Sequence, residues 1–157
     1  MRAKYKKHSG FTIVEILIVI VVVAILAAIS IVAYNGIQSR ARDAERAQDI
    51  TSIQKVLELY YIDNGTYPTT AQIQDSTWRK DNLPSQGEGI FINPQDIGST
   101  NSIVASGSTV ALNKYSYYAV IDSGGIVCTI STGCAGYRMA WKLEANPTTN
   151  LLKNVNK

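Results

Sequence analysis

One segment restricts the fold more than any other. From Phe11 to Ala33 the chain runs for 23 residues with a single ionisable side chain, Glu15. As an α-helix this run is roughly 34 Å long at ~1.5 Å per residue, enough to cross a hydrocarbon core of ~30 Å. A short basic head, residues 1–9, carries Arg2, Lys4, Lys6 and Lys7 in front of it. Such a head predicts that the amino end stays in the cytoplasm and the rest of the chain lies outside. A secretory signal has an apolar core of only ~7–15 residues, so this run is too long for an ordinary one, although Ala28-Ile29-Ser30 would pass as a weak cleavage site. The first cysteine, Cys128, is too distant for a lipoprotein signal. A plain signal anchor fits the length.

An anchor does not explain Glu15. A carboxylate in the bilayer costs on the order of 2.5–3.5 kcal/mol at the centre and less near an edge. Either Glu15 sits near the interface and reaches water, or it has a cationic partner.

Composition bounds the remainder. A length of 157 residues allows one globular domain plus a non-globular segment. With 46% apolar and 17% charged residues, a disordered tail is excluded. The formal charge is +3, but removing the four head cations leaves 11 basic against 12 acidic residues. The basicity belongs to the head and gives no ground for nucleic-acid binding. The one histidine, His8, lies in that head, so none remains to serve a Ser or Cys nucleophile. No Gly-rich phosphate loop is present, and two cysteines without a nearby histidine cannot complete a zinc tetrahedron. The chain reads as no enzyme, with no cofactor and no metal site.

Helical pattern continues past the apolar run. The first proline is Pro68. Ile50, Ile53, Leu57 and Tyr60 recur at spacings of three or four, with Val56 and Tyr61 beside them, and form one apolar face. Arg40, Arg42, Asp43, Glu45, Arg46 and Asp49 surround it as a mixed charged section. Asp63-Asn64-Gly65 and then Pro68 supply the stop. A helix from Phe11 to about Ile62 is expected, roughly 78 Å long. The alternative is two helices broken at Asn35-Gly36.

Gly10-Phe11-Thr12-Ile13-Val14-Glu15, behind a basic head and before an unbroken apolar run, resembles the amino-terminal signature of type IV prepilins and pseudopilins. Leu59-Tyr60-Tyr61-Ile62-Asp63-Asn64-Gly65-Thr66-Tyr67-Pro68 resembles the helix-end sequence of many pseudopilins. The resemblance covers about residues 5–65 and implies an α+β fold, with a long amino-terminal helix packed against a small antiparallel sheet. It implies three regions: a leader at 1–10, a transmembrane and filament-core helix at 11–35, and a globular head at 36–157. It further implies that a prepilin peptidase cuts between Gly10 and Phe11 and N-methylates Phe11. The new ammonium would then pair with Glu15, within a subunit or between neighbours, and set the axial offset of a fibre.

The function this implies is a structural subunit of a type IV pilus-like filament. It would assemble with copies of itself through the apolar helix, after waiting in membrane lipid. An inner-membrane platform and an assembly motor are the implied partners. The chain would be a single-pass protein of the cytoplasmic membrane before assembly and an extracellular or periplasmic filament afterwards. The alternatives are a minor pilin or pseudopilin of a type II secretion or DNA-uptake system, or a membrane-anchored protein that never polymerises. Two departures stand out. Val32 occupies a position where many relatives carry proline, and the acidic carboxyl-terminal loop with which secretion-type pseudopilins often hold calcium has no evident match; Asp122 is a lone carboxylate in its turn.

Residues 64–114 read as a long connection with one short helix (71–78) and short strands at 103–105 and 109–112. Trp78-Arg79-Lys80 is its one aromatic-basic cluster, either a packed capped turn or a DNA contact. Beyond it, alternation predicts a three-stranded antiparallel meander of 115–121, 126–130 and 137–144, with Gly-rich turns. Tyr115, Tyr117, Ala119 and Ile121 should face the helix stripe. Cys128 and Cys134 fall in the part expected outside the cytoplasm, where a disulfide persists. They either pair across a short loop or remain two buried thiols.

Overall fold

The computed structural model describes residues 10–83, 88–96, 98–105, 110–122, 124–130, 133–145 and 148–155. The basic head with His8, Thr109 of an expected strand, and Ser123, Ser131 and Thr132 of the expected turns lie outside them. A single helix, α1, spans Ile13–Asn64 and runs without interruption through Asn35-Gly36. Contacts divide the chain into two units, one through Gln38 and one from Ser39. The second unit is the folded head.

In the head, α1 ends where the sequence says it should. Gly65 takes a φ of 70° and its N–H donates to Tyr61 O at 2.8 Å, a left-handed closure that suits glycine. Thr69 and Gln72 form a capping box that starts α2 (Thr70–Gln74). Asp75 then ends α2 and caps α3 (Ser76–Asn82), its Oδ1 accepting from the N–H groups of Thr77 and Trp78. The single helix expected at 71–78 is therefore two, because one aspartate interrupts it. A 3-10 turn at Glu88–Phe91 follows.

Four strands complete the head: β1 (Ile103–Val104), β2 (Tyr115–Val120), β3 (Gly136–Lys142) and β4 (Thr149–Val155), in that spatial order. β1 runs parallel to β2, while β2–β3 and β3–β4 are antiparallel. The fold is α+β and pilin-like, a long helix on a small sheet. The sheet is mixed rather than purely antiparallel, and its third antiparallel strand is β4, not 126–130. That segment contributes one bridge, Val127 to Val120. The register explains this: the β2–β3 ladder begins at Val120↔Gly136, so residues 121–135 lie in the connection. Residues 110–112 form no strand.

The core is the meeting of helix stripe and sheet face. Ile50, Ile53 and Leu57 of α1 join Tyr115, Tyr117 and Ala119 of β2, Tyr137 and Met139 of β3, and Tyr67, Ile73 and Phe91 from the connection, all buried. Each such side chain contributes about 1.5–3 kcal/mol. Ile121, expected inward, is exposed. The tyrosine hydroxyls are satisfied: Tyr117 Oη donates to Pro68 O at 2.6 Å, Tyr115 Oη to Asp49 at 2.7 Å, and Tyr67 and Tyr137 both donate to Glu58.

The mixed charged section is not a solvated rim. Arg46 is fully buried. Its guanidinium donates to Asp43 Oδ1 at 2.6 Å, to Glu144 Oε1 at 3.0 Å and to Asn93 Oδ1 at 3.3 Å. Arg42 grips Glu144 through two bonds of 2.7 Å. Asp43 in turn accepts the N–H groups of Glu144 and Ala145. The chain leaving β3 is thereby tied to the helix. Hydrogen bonding from Arg42, opposed by desolvation and assisted by Arg46, holds Glu144 down to about 2. Burial pushes Asp49 up to about 6, opposed by the Tyr115 hydrogen bond and aided by the charge of Glu45.

Cys128 and Cys134 are joined in a disulfide, both buried. Cys134 O accepts from Tyr67 N at 3.0 Å, and Cys134 N donates to Thr66 Oγ1 at 3.1 Å. The small ring thus clamps the turn that follows α1.

Replacing Arg46 by Ala leaves two carboxylates without their buried cation and should lower head stability by about 3–5 kcal/mol in denaturant titration. Stability should also depend on pH in two limbs. Glu144, lowered from 4.5, contributes fully above its unfolded value and loses that contribution as pH falls towards about 2. Asp49, raised from 3.8, binds its proton more tightly when folded, so stability declines as pH rises through about 6. A maximum near pH ~4–5 is expected, and Asp49→Asn should flatten the upper limb alone. The double change Cys128→Ser and Cys134→Ser should cost about 2 kcal/mol and speed hydrogen exchange at the Tyr67 amide; unchanged exchange there would refute the clamp.

Candidate assembly segment

The unit through Gln38 is built on residues that no other part of that unit covers. Phe11 is 84% exposed, and every large aliphatic side chain from Ile13 to Ile31 is exposed. The helix is apolar on all sides here, with a mean hydropathy of 3.4 over its best window, and is long and apolar enough to cross a membrane. A helix of this kind is stable only in lipid or packed among similar helices. Val14, Leu17, Ile18, Val21 and Val22 outline a shallow apolar groove of about 220 Å³. Ser30 returns its hydroxyl to Leu26 O at 2.8 Å, so the one polar residue beyond Glu15 in the run's second part shows no polarity outward.

The start of α1 carries the chemistry. Gly10 and Phe11 precede the helix, outside any regular element. Glu15 Oε2 accepts from Thr12 N at 3.1 Å and from Thr12 Oγ1 at 3.0 Å, while Thr12 Oγ1 accepts from Glu15 N at 3.2 Å. This is a reciprocal capping box, written in the sequence as Thr12-Ile13-Val14-Glu15. It satisfies two helix-terminal donors and places negative charge at the positive end of the helix dipole. Sequence reasoning treated Glu15 as an isolated acid and overlooked the threonine three residues before it. Among the described residues, Glu15 is bonded to Thr12 and not to Phe11.

The other expected positions are distributed over the head. Cys128 and Cys134 sit in the β2–β3 connection, away from this segment in sequence. The aromatic-basic cluster is dispersed: Trp78 is partly buried, Lys80 is exposed, and Arg79 is buried, donating to Ile73 O at 2.6 Å with its guanidinium over the Phe91 ring. Arg79 therefore cannot serve a DNA surface. Asp122 Oδ1 accepts from Gly125 N and Ile126 N, bracing its own turn. Gly125 is required there, since its φ is 87° and the Arg138 guanidinium occupies the space a Cβ would need. Among the described residues no group of three or more His, Cys, Asp or Glu side chains could hold a metal ion.

Comparison with known proteins divides the chain at the same region. Residues 5–31 match the family model of the prokaryotic N-terminal methylation motif, and residues 33–97 match that of type II secretion system protein G. The chain is 35% identical to the type II secretion system core protein G of Aeromonas hydrophila over 48% of its own length and 52% of the relative's. It is 36% identical to the core protein G of Escherichia coli over 50% and 54%, and 29% identical to that of Dickeya chrysanthemi over 71% and 78%. The match spans about half the length of the first two relatives. No solved structure matches. With a methylation motif at the entrance to a long apolar helix, a protein G region behind it and a small sheet closing on the helix, the chain is similar to the pseudopilins of type II secretion systems over the matched regions.

Proposed function

We propose that this chain is a pseudopilin of a type II secretion system, a structural filament subunit and not an enzyme. The match of residues 33–97 to protein G, directly behind the methylation motif, carries this reading and favours it over the pilus subunit expected from the signature alone. Residues 1–10 act as a leader that a prepilin peptidase removes after Gly10. Phe11 becomes the N-methylated terminus. The helix from 11 to 35 holds the subunit in the inner membrane with its head in the periplasm, and then packs against its copies in a fibre.

Glu15 has two successive roles in this reading. In the isolated subunit Thr12 supplies the hydrogen bonds observed here. In the fibre the Phe11 ammonium of the same or a neighbouring subunit supplies the countercharge. An acid in an apolar core tolerates neither state without a partner. The Cys128–Cys134 disulfide braces the β2–β3 connection that carries Asp122, and the Arg46 network ties the chain leaving β3 to α1.

The mature chain should begin at Phe11 and carry one added methyl group by mass spectrometry; an intact Met1 terminus would overturn the reading. Glu15→Ala should insert into the membrane normally and reduce fibre yield at least tenfold, a loss of about 1.4 kcal/mol or more in assembly. Deleting the gene should block release of folded periplasmic enzymes while surface pili persist; the opposite pattern would return the chain to the pilus class.

A further inference from the structure

The head contains an open cleft of about 400 Å³ at the end of α1, lined by Tyr60, Asn64, Gly65, Thr66, Gln72, Trp78 and Asn82. Among the described residues its lining has no charged side chain, which removes the usual basis for binding phosphate or nucleic acid. It is not an apolar slot either. Three amides and a hydroxyl share it with two aromatic rings. Tyr60 and Trp78 meet edge to face with centroids 5.5 Å apart, which fixes the indole plane against the helix.

The amides are held so that part of each remains available. Asn64 Nδ2 donates to Tyr60 O and Asn82 Nδ2 donates to Trp78 O, both at 2.9 Å. Each asparagine therefore spends a donor on its own helix and keeps Oδ1 as an acceptor. Gln72 does the reverse: its Oε1 accepts from Thr69 N at 2.8 Å and Thr69 Oγ1 at 3.0 Å, leaving Nε2 as donor. Thr66 is fixed by Cys134 on the far wall. The cleft thus offers preorganised acceptors and donors at its edge beside an aromatic surface. Few ligands present the complement, a face of C–H groups bordered by hydroxyls that both donate and accept. A pyranose ring does.

We propose that the cleft between Tyr60, Trp78 and the amides of Asn64, Gln72 and Asn82 binds a neutral saccharide. The pyranose lies against the Trp78 indole, and its hydroxyls bond to Asn64 Oδ1, Asn82 Oδ1 and Gln72 Nε2. This site is independent of the filament reading, since none of its residues lies in the apolar helix segment. An exposed single-ring platform of this kind supports weak binding.

Saturation-transfer NMR on the full chain tests it, in a detergent without a sugar headgroup, with maltotriose, cellotriose and tri-N-acetylchitotriose as probes. Transfer to the ring C–H protons of at least one trisaccharide is expected. Asn82→Ala, at an exposed helix end, should weaken that binding about fivefold to tenfold, and Trp78→Ala should abolish it, with thermal melting recorded for both. Should Trp78→Ala unfold the head, Asn82→Ala decides alone. No transfer to any of the three probes overturns the proposal. So does transfer that Asn82→Ala leaves unchanged, or saturable binding of a proline-rich peptide in place of all three sugars.

Discussion

A guanidinium with no exposure to water organises the head. Arg46 could not be buried alone; the desolvation of a lone cation would exceed anything its packing returned. Its partners come from three places in the chain: Asp43 one turn earlier on α1, Asn93 in the connection and Glu144 just past β3. Satisfying one charge therefore fixes the helix, the loop and the sheet edge in a single arrangement. The apolar core supplies most of the free energy but many packings of similar area would satisfy it. The fork of Arg46 is far more selective.

The same logic, with the opposite sign, governs the amino-terminal end. There an acid stands among apolar neighbours in sequence, with no cation bonded to it among the described residues. Thr12 meets the need locally by exchanging hydrogen bonds with Glu15. The acid is thus compatible with an unassembled subunit, which a bare carboxylate in lipid would not be. The two halves of α1 consequently rely on different devices: a charge network inside the head, and a capping box at the start of the helix.

Much of this was legible beforehand, and the failures have physical causes. The length of α1 followed from its apolar run, the stripe at 50–60 and the Gly65 stop, all local signals. β2 and β3 are legible within two residues because Tyr115–Val120 and Gly136–Lys142 combine aromatics with alternation. Residues 126–130, Ile-Val-Cys-Thr-Ile, have as strong a strand propensity, yet Ile126, Val127 and Ile130 are exposed in the connection. Register and the disulfide, not propensity, decided their place. β4 was missed for the converse reason: Thr-Asn-Leu-Leu-Lys-Asn-Val carries little intrinsic preference and is a strand because β3 offers it an edge. The burial of Asp43 and Arg46 could not be read from α1, since the partner that draws them inward lies about a hundred positions away.

The Thr12–Glu15 box has a thermodynamic corollary for the proposed fibre. A carboxylate that already holds two local hydrogen bonds must share or surrender them when it meets an ammonium, so the proposed pairing yields less than a bare acid would gain. In such a fibre a short hydroxyl side chain at the head of a helix would temper how strongly one acid drives association.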